Sequence, residues 1–186
     1  MKINKDIIYL TLIVALIAAC AQLFFSFRIQ PAIEEQQTRE VNVYYSKDIQ
    51  ANEKIIDEIR SADKFVYFAI YTFTKPDIKD ALIGAKYRGL EVKGLIDKEQ
   101  TDKVESQKDV IKELQQAGIP LAFDDHSAIM HLKVLVTDKS YVSGSFNWTK
   151  SATDSNDEVI EIGYDESIRK QYETLMRSLF VKYPIQ

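Results

Sequence analysis

The chain has 186 residues, of which 46% are hydrophobic and 28% are charged, and its formal net charge is −4. This composition is typical of a globular α/β protein and excludes an intrinsically disordered chain. The acidic balance excludes a protein that coats duplex nucleic acid through its overall charge, so any nucleic-acid binding must depend on a local basic patch.

The first informative segment is an apolar run near the N-terminus. Residues 7–27 are 21 positions without a charge, which is long enough to cross a bilayer as a helix. Lys2 and Lys5 precede this run, and the positive-inside rule therefore places the N-terminus in the cytoplasm. We predict a signal anchor over residues 1–28, held in the inner membrane through residues 7–27, with the rest of the chain in the periplasm or outside the cell.

The end of this segment allows two further interpretations. Residues 17–20, which end in Cys20, resemble a lipoprotein processing site, and residues 19–21 fit a small-x-small cleavage pattern. Because Leu23 and Phe24 continue the apolar run beyond both sites, we favour an uncleaved anchor and keep a secreted protein and a lipoprotein as alternatives. Cys20 is the single cysteine of the sequence, which excludes an intrachain disulfide, and no cysteine–histidine cluster indicates zinc.

Beyond a polar linker at residues 29–40, strand and helix patterns alternate from about Val41 to the C-terminus. The continuous apolar run at 65–71 predicts a strand covered on both faces, and residues 97–108 are expected to form a charged loop. The alternation predicts one domain over residues 41–186, an α/β/α sandwich with a mixed β-sheet. The predicted strands are 41–45, 65–71, 92–96, 119–123, 131–136, 141–143 and 159–162, and the predicted helices are 48–60, 77–88, 109–116 and 165–181.

The side chains suited to catalysis lie on and after the last strands of this pattern. His131 and Lys133 are two residues apart on a predicted strand and therefore point to the same face of the sheet. The next strand ends at Gly144, where the backbone can approach a ligand closely, and Ser145 and Asn147 supply hydrogen-bond donors. An imidazole, a fixed cation, these donors and a downstream carboxylate form a set that can attack a phosphodiester.

The stretch from His131 to Glu158 resembles the HKD signature of the phospholipase D superfamily. Its pattern is H-x-K-x4-D, then five residues, G-S-x-N, ten residues and E. The spacer between Asp138 and Gly144 has five residues, whereas six are usual. A structural role is expected for both of these residues. Residues 71–78, 88–93 and 118–120 also resemble the small single-motif bacterial endonucleases of this superfamily, and the resemblance covers residues 41–183. The motif positions are occupied by His131, Lys133, Asp138, Gly144, Ser145, Asn147 and Glu158.

The resemblance implies a homodimer with one composite active site. The reaction of this superfamily uses two histidines, and the other histidine of this chain, His126, has no lysine two residues after it. A two-fold axis beside the motif would place His131 and its symmetry mate on opposite sides of one phosphate. His131 of one subunit would attack phosphorus, and the mate would protonate the leaving oxygen.

The resemblance also implies roles for the remaining motif residues. Lys133, Ser145 and Asn147 would hold the phosphoryl oxygens. Glu158 would accept a hydrogen bond from the second ring nitrogen of the histidine. Asp138, five residues past the lysine, is expected on the opposite face of the strand, in an ion pair or capping a turn. The scheme requires no metal and no cofactor, because lysine and asparagine neutralise the developing charge.

The predicted function is a metal-independent phosphodiesterase, specifically a non-specific endonuclease that cleaves DNA, with RNA as a further candidate substrate. The alternative is a phospholipase D or cardiolipin hydrolase that acts on membrane lipids, because the two classes share their phosphodiester chemistry. A lipid enzyme should carry an apolar cleft, whereas a nuclease needs a basic groove across the dimer. A catalytically silent binding module is disfavoured by the intact motif.

Other features of the domain carry less information. The adjacent acidic residues at 124 and 125 are expected to be solvated rather than to bind a metal. Phe146 and Trp148 either stack on bases or pack the loop, and the sequence does not separate these alternatives. The apolar stripe of the C-terminal helix is expected to be core packing rather than a cofactor site. Four lysines on predicted loops are candidate phosphate contacts: Lys75, Lys98, Lys103 and Lys150.

Overall fold

The structure is a computed structural model that describes residues 14–22, 40–47 and 51–185. The chain divides into two units, Met1–Gln37 and Thr38–Gln186. In the first unit, residues 14–22 are helical (α1) and exposed. No helix within the described ranges is both long and apolar enough to cross a membrane. The rest of the predicted anchor, the linker up to residue 39 and the predicted helix start at Asp48 lie outside those ranges.

The second unit is built on a seven-stranded mixed sheet with the order β1-β7-β6-β5-β2-β3-β4. β2, β3 and β4 run parallel to one another, and every other neighbouring pair is antiparallel. The predicted mixed sheet is therefore confirmed. The strands are β1 Val41–Tyr45, β2 Phe65–Ile70, β3 Glu91–Asp97, β4 Leu121–Asp124, β5 Lys133–Thr137, β6 Tyr141–Gly144 and β7 Val159–Gly163.

Helices cover both faces of this sheet. Two hydrophobic clusters lie on opposite sides, and alternate residues of β2 belong to one cluster and the other. All six residues of β2 are buried, as its continuous apolar run predicted. α2 (Ala51–Ser61), α3 (Pro76–Tyr87) and α5 (Glu105–Gln116) contribute to the first cluster, and α7 (Glu166–Lys182) contributes to the second; α4 (Lys98–Lys103) and α6 (Lys150–Asp154) are short.

The charged loop predicted for residues 97–108 is wrong, because this segment forms α4 and the first turn of α5. The Asp97 carboxylate accepts a hydrogen bond from the Gln100 N–H at 2.6 Å and thereby caps α4. Gln107 is fully buried, and its side chain accepts from the Phe73 N–H at 2.8 Å. The charges that suggested a loop lie on the exposed sides of two helices.

The stripe predicted on the C-terminal helix is only partly buried. Met176 is fully buried and Tyr172 and Leu179 are half-buried, whereas Ile168 and Leu175 are exposed. α7 contacts mainly β2 and β5. A single helix laid over two strands buries a narrow stripe, so the flanking apolar positions remain at the surface.

Candidate active site

The motif residues converge at one edge of the sheet because of the strand order. β5 runs antiparallel to β2, so that Lys133 at the start of β5 lies opposite Ile70 at the end of β2. On its other side, β5 pairs with β6, and Val134 lies opposite Ser143. The beginning of β5 and the ends of β2 and β6 therefore meet at the same edge.

His131 lies just before β5 rather than within it, and it is exposed. The sequence predicted that His131 and Lys133 emerge side by side from a strand; instead β5 begins at Lys133. The edge of the His131 ring meets the ring of Tyr71, with 5.0 Å between centroids. The Tyr71 N–H donates to the Leu132 carbonyl at 3.0 Å, which anchors the backbone between the two motif residues. An exposed imidazole in this position is accessible to a substrate.

Lys133 is buried, with only 7% of its surface exposed. Its Nζ donates to the His131 carbonyl at 3.0 Å and lies 5.2 Å from the centre of the Tyr71 ring. Burial lowers the pKa of Lys133 to about 8, and the negative charge of Glu158 opposes this effect. The ammonium group is thus held in a poorly solvated position beside the exposed histidine, where its charge acts strongly on a bound anion.

Glu158 contacts different partners from those expected. It is buried, its carboxylate accepts from the Ser145 hydroxyl, and it also accepts from the Asn156 amide at 3.1 Å; no hydrogen bond joins it to the His131 ring in the described part of the chain. The strand order explains this difference. Glu158 precedes β7, which pairs with β6 and so adjoins Ser145, whereas His131 precedes β5, one strand further away.

Ser145 and Gly144 are tied to the start of β7. The Ser145 hydroxyl accepts from the Val159 N–H at 3.1 Å while it donates to Glu158. Gly144 has a φ of 149°, and a Cβ at this position would lie 2.0 Å from the Val159 carbonyl oxygen. Only glycine permits this close approach of two strands.

Asn147 is held through its side-chain oxygen, which accepts from the Thr72 N–H at 3.2 Å. This contact uses the side-chain oxygen and leaves the amide nitrogen as a hydrogen-bond donor. Phe146 and Trp148 are each 2% exposed, and the Trp148 ring packs 4.8 Å from that of Phe73. Of the two alternatives for this aromatic pair, the structure supports loop packing.

Asp138 lies at the opposite end of β5 from His131. Its carboxylate accepts from the Asp63 and Lys64 N–H groups at 3.0 and 3.1 Å. Although burial opposes it, hydrogen bonds from the Lys64 and Asp63 backbone hold the pKa of Asp138 below its usual value. These contacts tie the turn before β2 to the end of β5.

Two residues near the site were missed by the sequence analysis. Tyr71 contacts both His131 and Lys133 through its ring, as described above. Asp97 is 2% exposed, and its second carboxylate oxygen accepts from the N–H of Met130 at 2.8 Å. A carboxylate at the carboxyl end of a buried parallel strand was the available signal for Asp97, because ligand sites gather at that end.

The acidic pair at 124 and 125 was only half correctly interpreted. Asp125 is exposed, but Asp124 is 5% exposed, accepts from the His126 N–H at 3.1 Å and contacts the His126 Nδ1. A group of three or more histidine, cysteine or carboxylate side chains that could hold a metal is absent from the described ranges.

The four candidate phosphate lysines each face a carboxylate. Three of them lie on helices α4 and α6 rather than on loops. An isolated ion pair on the surface weakens the attraction of a lysine for a phosphate without abolishing it. The pairs are Lys75–Asp77, Lys98–Asp102, Lys103–Glu99 and Lys150–Asp154.

Comparison with known proteins gives a consistent set of similarities. The family model for the cardiolipin synthase, PLD-like domain matches residues 55–180. Phospholipase D from Rickettsia typhi is 31% identical over 142 residues, 76% of this chain and 68% of the relative. A mitochondrial cardiolipin hydrolase from Chlamydomonas reinhardtii is 29% identical over 136 residues, 70% of this chain and 60% of the relative.

Solved structures show the same similarity in three dimensions. Nuc from Salmonella typhimurium, a phospholipase D family member, matches with a TM-score of 0.74 and 29% identity, covering 79% of this chain and 97% of Nuc. NucT from Helicobacter pylori matches with a TM-score of 0.67 and 25% identity, covering 75% of this chain and 94% of NucT. Both matched chains are covered almost completely by the domain described above.

Proposed function

The chain belongs to the phospholipase D superfamily and is one of its phosphodiesterases, and we propose that it is a non-specific endonuclease that cleaves DNA through a phosphohistidine intermediate. The observation that carries this proposal is that the exposed His131 imidazole lies beside a buried ammonium group, that of Lys133, which donates to the His131 backbone carbonyl. The imidazole is free to approach phosphorus, and the ammonium is fixed where negative charge develops.

The mechanism has two displacements at phosphorus. His131 attacks the scissile phosphodiester, a nitrogen–phosphorus bond forms, and the leaving oxygen takes a proton from the symmetry-related histidine. Water, activated by that second histidine, then releases the phosphate product and regenerates the free imidazole. Lys133 and Asn147 bind the non-bridging oxygens as their charge increases. Ser145 donates a hydrogen bond to Glu158 and accepts one from the Val159 N–H, and these contacts fix the loop that carries Asn147.

A small cavity lies directly beside Lys133. The cavity beside Lys133, lined by Val134, Phe146 and Trp148 among others, has a volume of about 10 Å³. A space of this size holds about one water molecule and no acyl chain. An acyl chain therefore cannot enter the core beside Lys133, whereas a polar phosphate backbone can bind at the exposed surface around His131.

A substrate panel tests this proposal. The purified chain with excess EDTA is assayed against single-stranded DNA, duplex DNA, RNA and cardiolipin. We expect cleavage of nucleic acid that EDTA does not suppress, because the fixed cation of Lys133 replaces a divalent metal. Hydrolysis of cardiolipin alone would contradict the substrate and leave the mechanism standing. Loss of all activity in EDTA would contradict the mechanism.

Lipid hydrolysis is the second candidate function. It is favoured by the names of two relatives, the phospholipase D of Rickettsia typhi and the cardiolipin hydrolase of Chlamydomonas reinhardtii. We further propose that the apolar residues 7–27 anchor the enzyme in the inner membrane with its active site facing the periplasm or the cell exterior. A secreted form and a lipoprotein are the alternatives for this segment.

We also propose that the active enzyme is a homodimer in which two copies of His131 serve one phosphate. Co-expression of equal amounts of wild-type and His131→Ala subunits tests the composite site. If both histidines are needed, only dimers with two wild-type subunits are active, and about a quarter of the activity remains under random pairing. Independent sites would leave about half. Sedimentation of the purified chain as a single subunit with full activity would also contradict the dimer.

A further inference from the structure

A groove lies away from the HKD motif, between α4, α5 and β4, with a volume of about 270 Å³. Lys98, Lys108 and Lys112 line it, together with the apolar side chains of Ile111 and Phe123. Ile111 is 5% exposed, whereas Phe123 is only half-buried, so part of its ring is accessible from the groove. The groove therefore combines a basic lining with an apolar, partly aromatic floor.

The charge of this lining is opposite to that of the whole chain. The net charge of the protein is −4, yet three lysines and a single carboxylate, Asp102, line the groove. Lys98 lies 3.7 Å from Asp102, and Lys108 lies 2.9 Å from Glu105; both pairs are largely solvent-exposed and hold their lysines weakly. Among the described residues, no ion pair engages Lys112. The groove is a local basic concavity in an acidic protein.

The wall of the groove is connected to the active site. α4 supplies Lys98 to the groove and begins at Asp97, which also holds the backbone of Met130 beside the catalytic histidine. The Gln100 side chain of the same helix donates to the Thr72 hydroxyl at 3.0 Å. The Thr72 N–H in turn donates to Asn147. A strand bound in the groove would thus lie against the helix that borders the catalytic loops.

We propose that this groove is a second phosphate-binding subsite, which takes the backbone of a single-stranded nucleic acid whose scissile phosphate lies at His131. Lys98, Lys108 and Lys112 bind phosphate oxygens, and a base stacks on the accessible part of the Phe123 ring. The volume of the groove, about 270 Å³, lies just below the usual range for small-molecule sites, which suits one nucleotide unit of a flexible strand. This inference rests on the proposed nuclease function.

The test compares two double variants of the full-length chain. Lys108→Ala/Lys112→Ala removes two groove lysines, and Lys170→Ala/Lys182→Ala makes the same charge change on α7, which packs on the other face of the sheet. Cleavage of a single-stranded oligonucleotide is measured in EDTA as a function of salt. For the groove variant we expect KM to rise about tenfold. The slope of log KM against the logarithm of the salt concentration should become shallower by about 1.4, because two phosphate contacts are lost. The α7 variant should stay within about twofold of wild type.

Each outcome of this experiment supports or contradicts the proposed subsite. A groove variant that matches the α7 variant in KM and in salt dependence overturns it, while DNA cleavage by the wild type leaves the nuclease function intact. A fall in kcat without a rise in KM also overturns it, because a binding subsite acts on KM. If the wild type cleaves duplex DNA but no single-stranded nucleic acid, the subsite alone is overturned. If it cleaves no nucleic acid at all, the nuclease function is overturned and the subsite with it.

Discussion

Replacement of His131 by alanine is expected to reduce phosphodiester cleavage by about 10⁴-fold or more, because the proposed mechanism loses both its nucleophile and its symmetry-related acid. The side chain is exposed and its ring contacts that of Tyr71, so the fold should be little affected. The measurement is the single-turnover rate on the best nucleic acid of the substrate panel. Incubation of the wild type with substrate followed by rapid denaturation should also trap one nucleic-acid fragment, linked through its terminal phosphoryl group to the His131 ring.

The matched control for this variant is His126→Ala. His126 is also exposed, and it lies in the same segment between β4 and β5, but its ring contacts Asp124. We expect the His126 variant to retain wild-type activity within a few-fold. Loss of activity in the His126 variant together with retention in the His131 variant would assign the chemistry to the wrong histidine and refute the motif-based mechanism.

The second large effect is expected at Lys133, whose pKa is lowered by burial to about 8. kcat/KM reports the ionisation of the free enzyme, so it should fall as the pH rises through about 8, where the ammonium group loses its proton. Lys133→Met removes the cation at every pH and should lower kcat by about 10²- to 10³-fold. In this variant the fall of activity near pH 8 should disappear from the residual rate.

Loss of the Lys133 proton is expected to lower activity but to raise the stability of the folded protein. The folded pKa of Lys133, about 8, lies below the ordinary 10.5, so the unfolded chain binds more protons between these two values. The contribution of Lys133 to the free energy of unfolding should therefore rise with pH from about 8 to 10.5, by up to about 3 kcal/mol. Below pH 8 the lysine is charged in both states and its contribution is constant.

Urea unfolding of the wild type and of Lys133→Met at several pH values measures the contribution of Lys133 to the free energy of unfolding. The stability difference between the two proteins isolates Lys133 from the other groups that titrate in the same range. We expect the wild type to gain stability relative to the variant above pH 8, while its activity falls. A parallel fall of activity and relative stability over this range would mean that the charged lysine stabilises the folded state, contrary to its buried position.

The sequence predicted the layered architecture because the relevant signals are local. Period-two and continuous apolar runs marked the strands, and the unbroken run at residues 65–71 predicted burial on both faces, which β2 shows. The signals failed at residues 97–108, where a run of charged residues was taken to indicate a loop. α4 and the start of α5 carry their charges on exposed sides, and the buried side chains of Thr101 and Gln107 are polar, so no apolar periodicity marked these helices.

The sequence by itself determined the family and the chemical groups of the site, because the spacing of His131, Lys133 and Asn147 is a property of a short stretch of chain. Only the tertiary structure decided which groups touch. Strand order puts β7 beside β6, so Glu158 accepts a hydrogen bond from Ser145 rather than from the His131 ring. It also brings Asp97 to the N–H of Met130, 33 positions further along the chain.

The burial of Lys133 was likewise decided by packing. Only 7% of the residue is exposed and its Nζ lies 5.2 Å from the centre of the Tyr71 ring, although local sequence would leave such a side chain in water. This burial lowers the pKa of Lys133, and the expected pH dependence of activity follows from the lowered pKa. Residue type and spacing are encoded locally, whereas solvation and hydrogen-bond partners depend on segments that are distant in the chain and adjacent in the sheet.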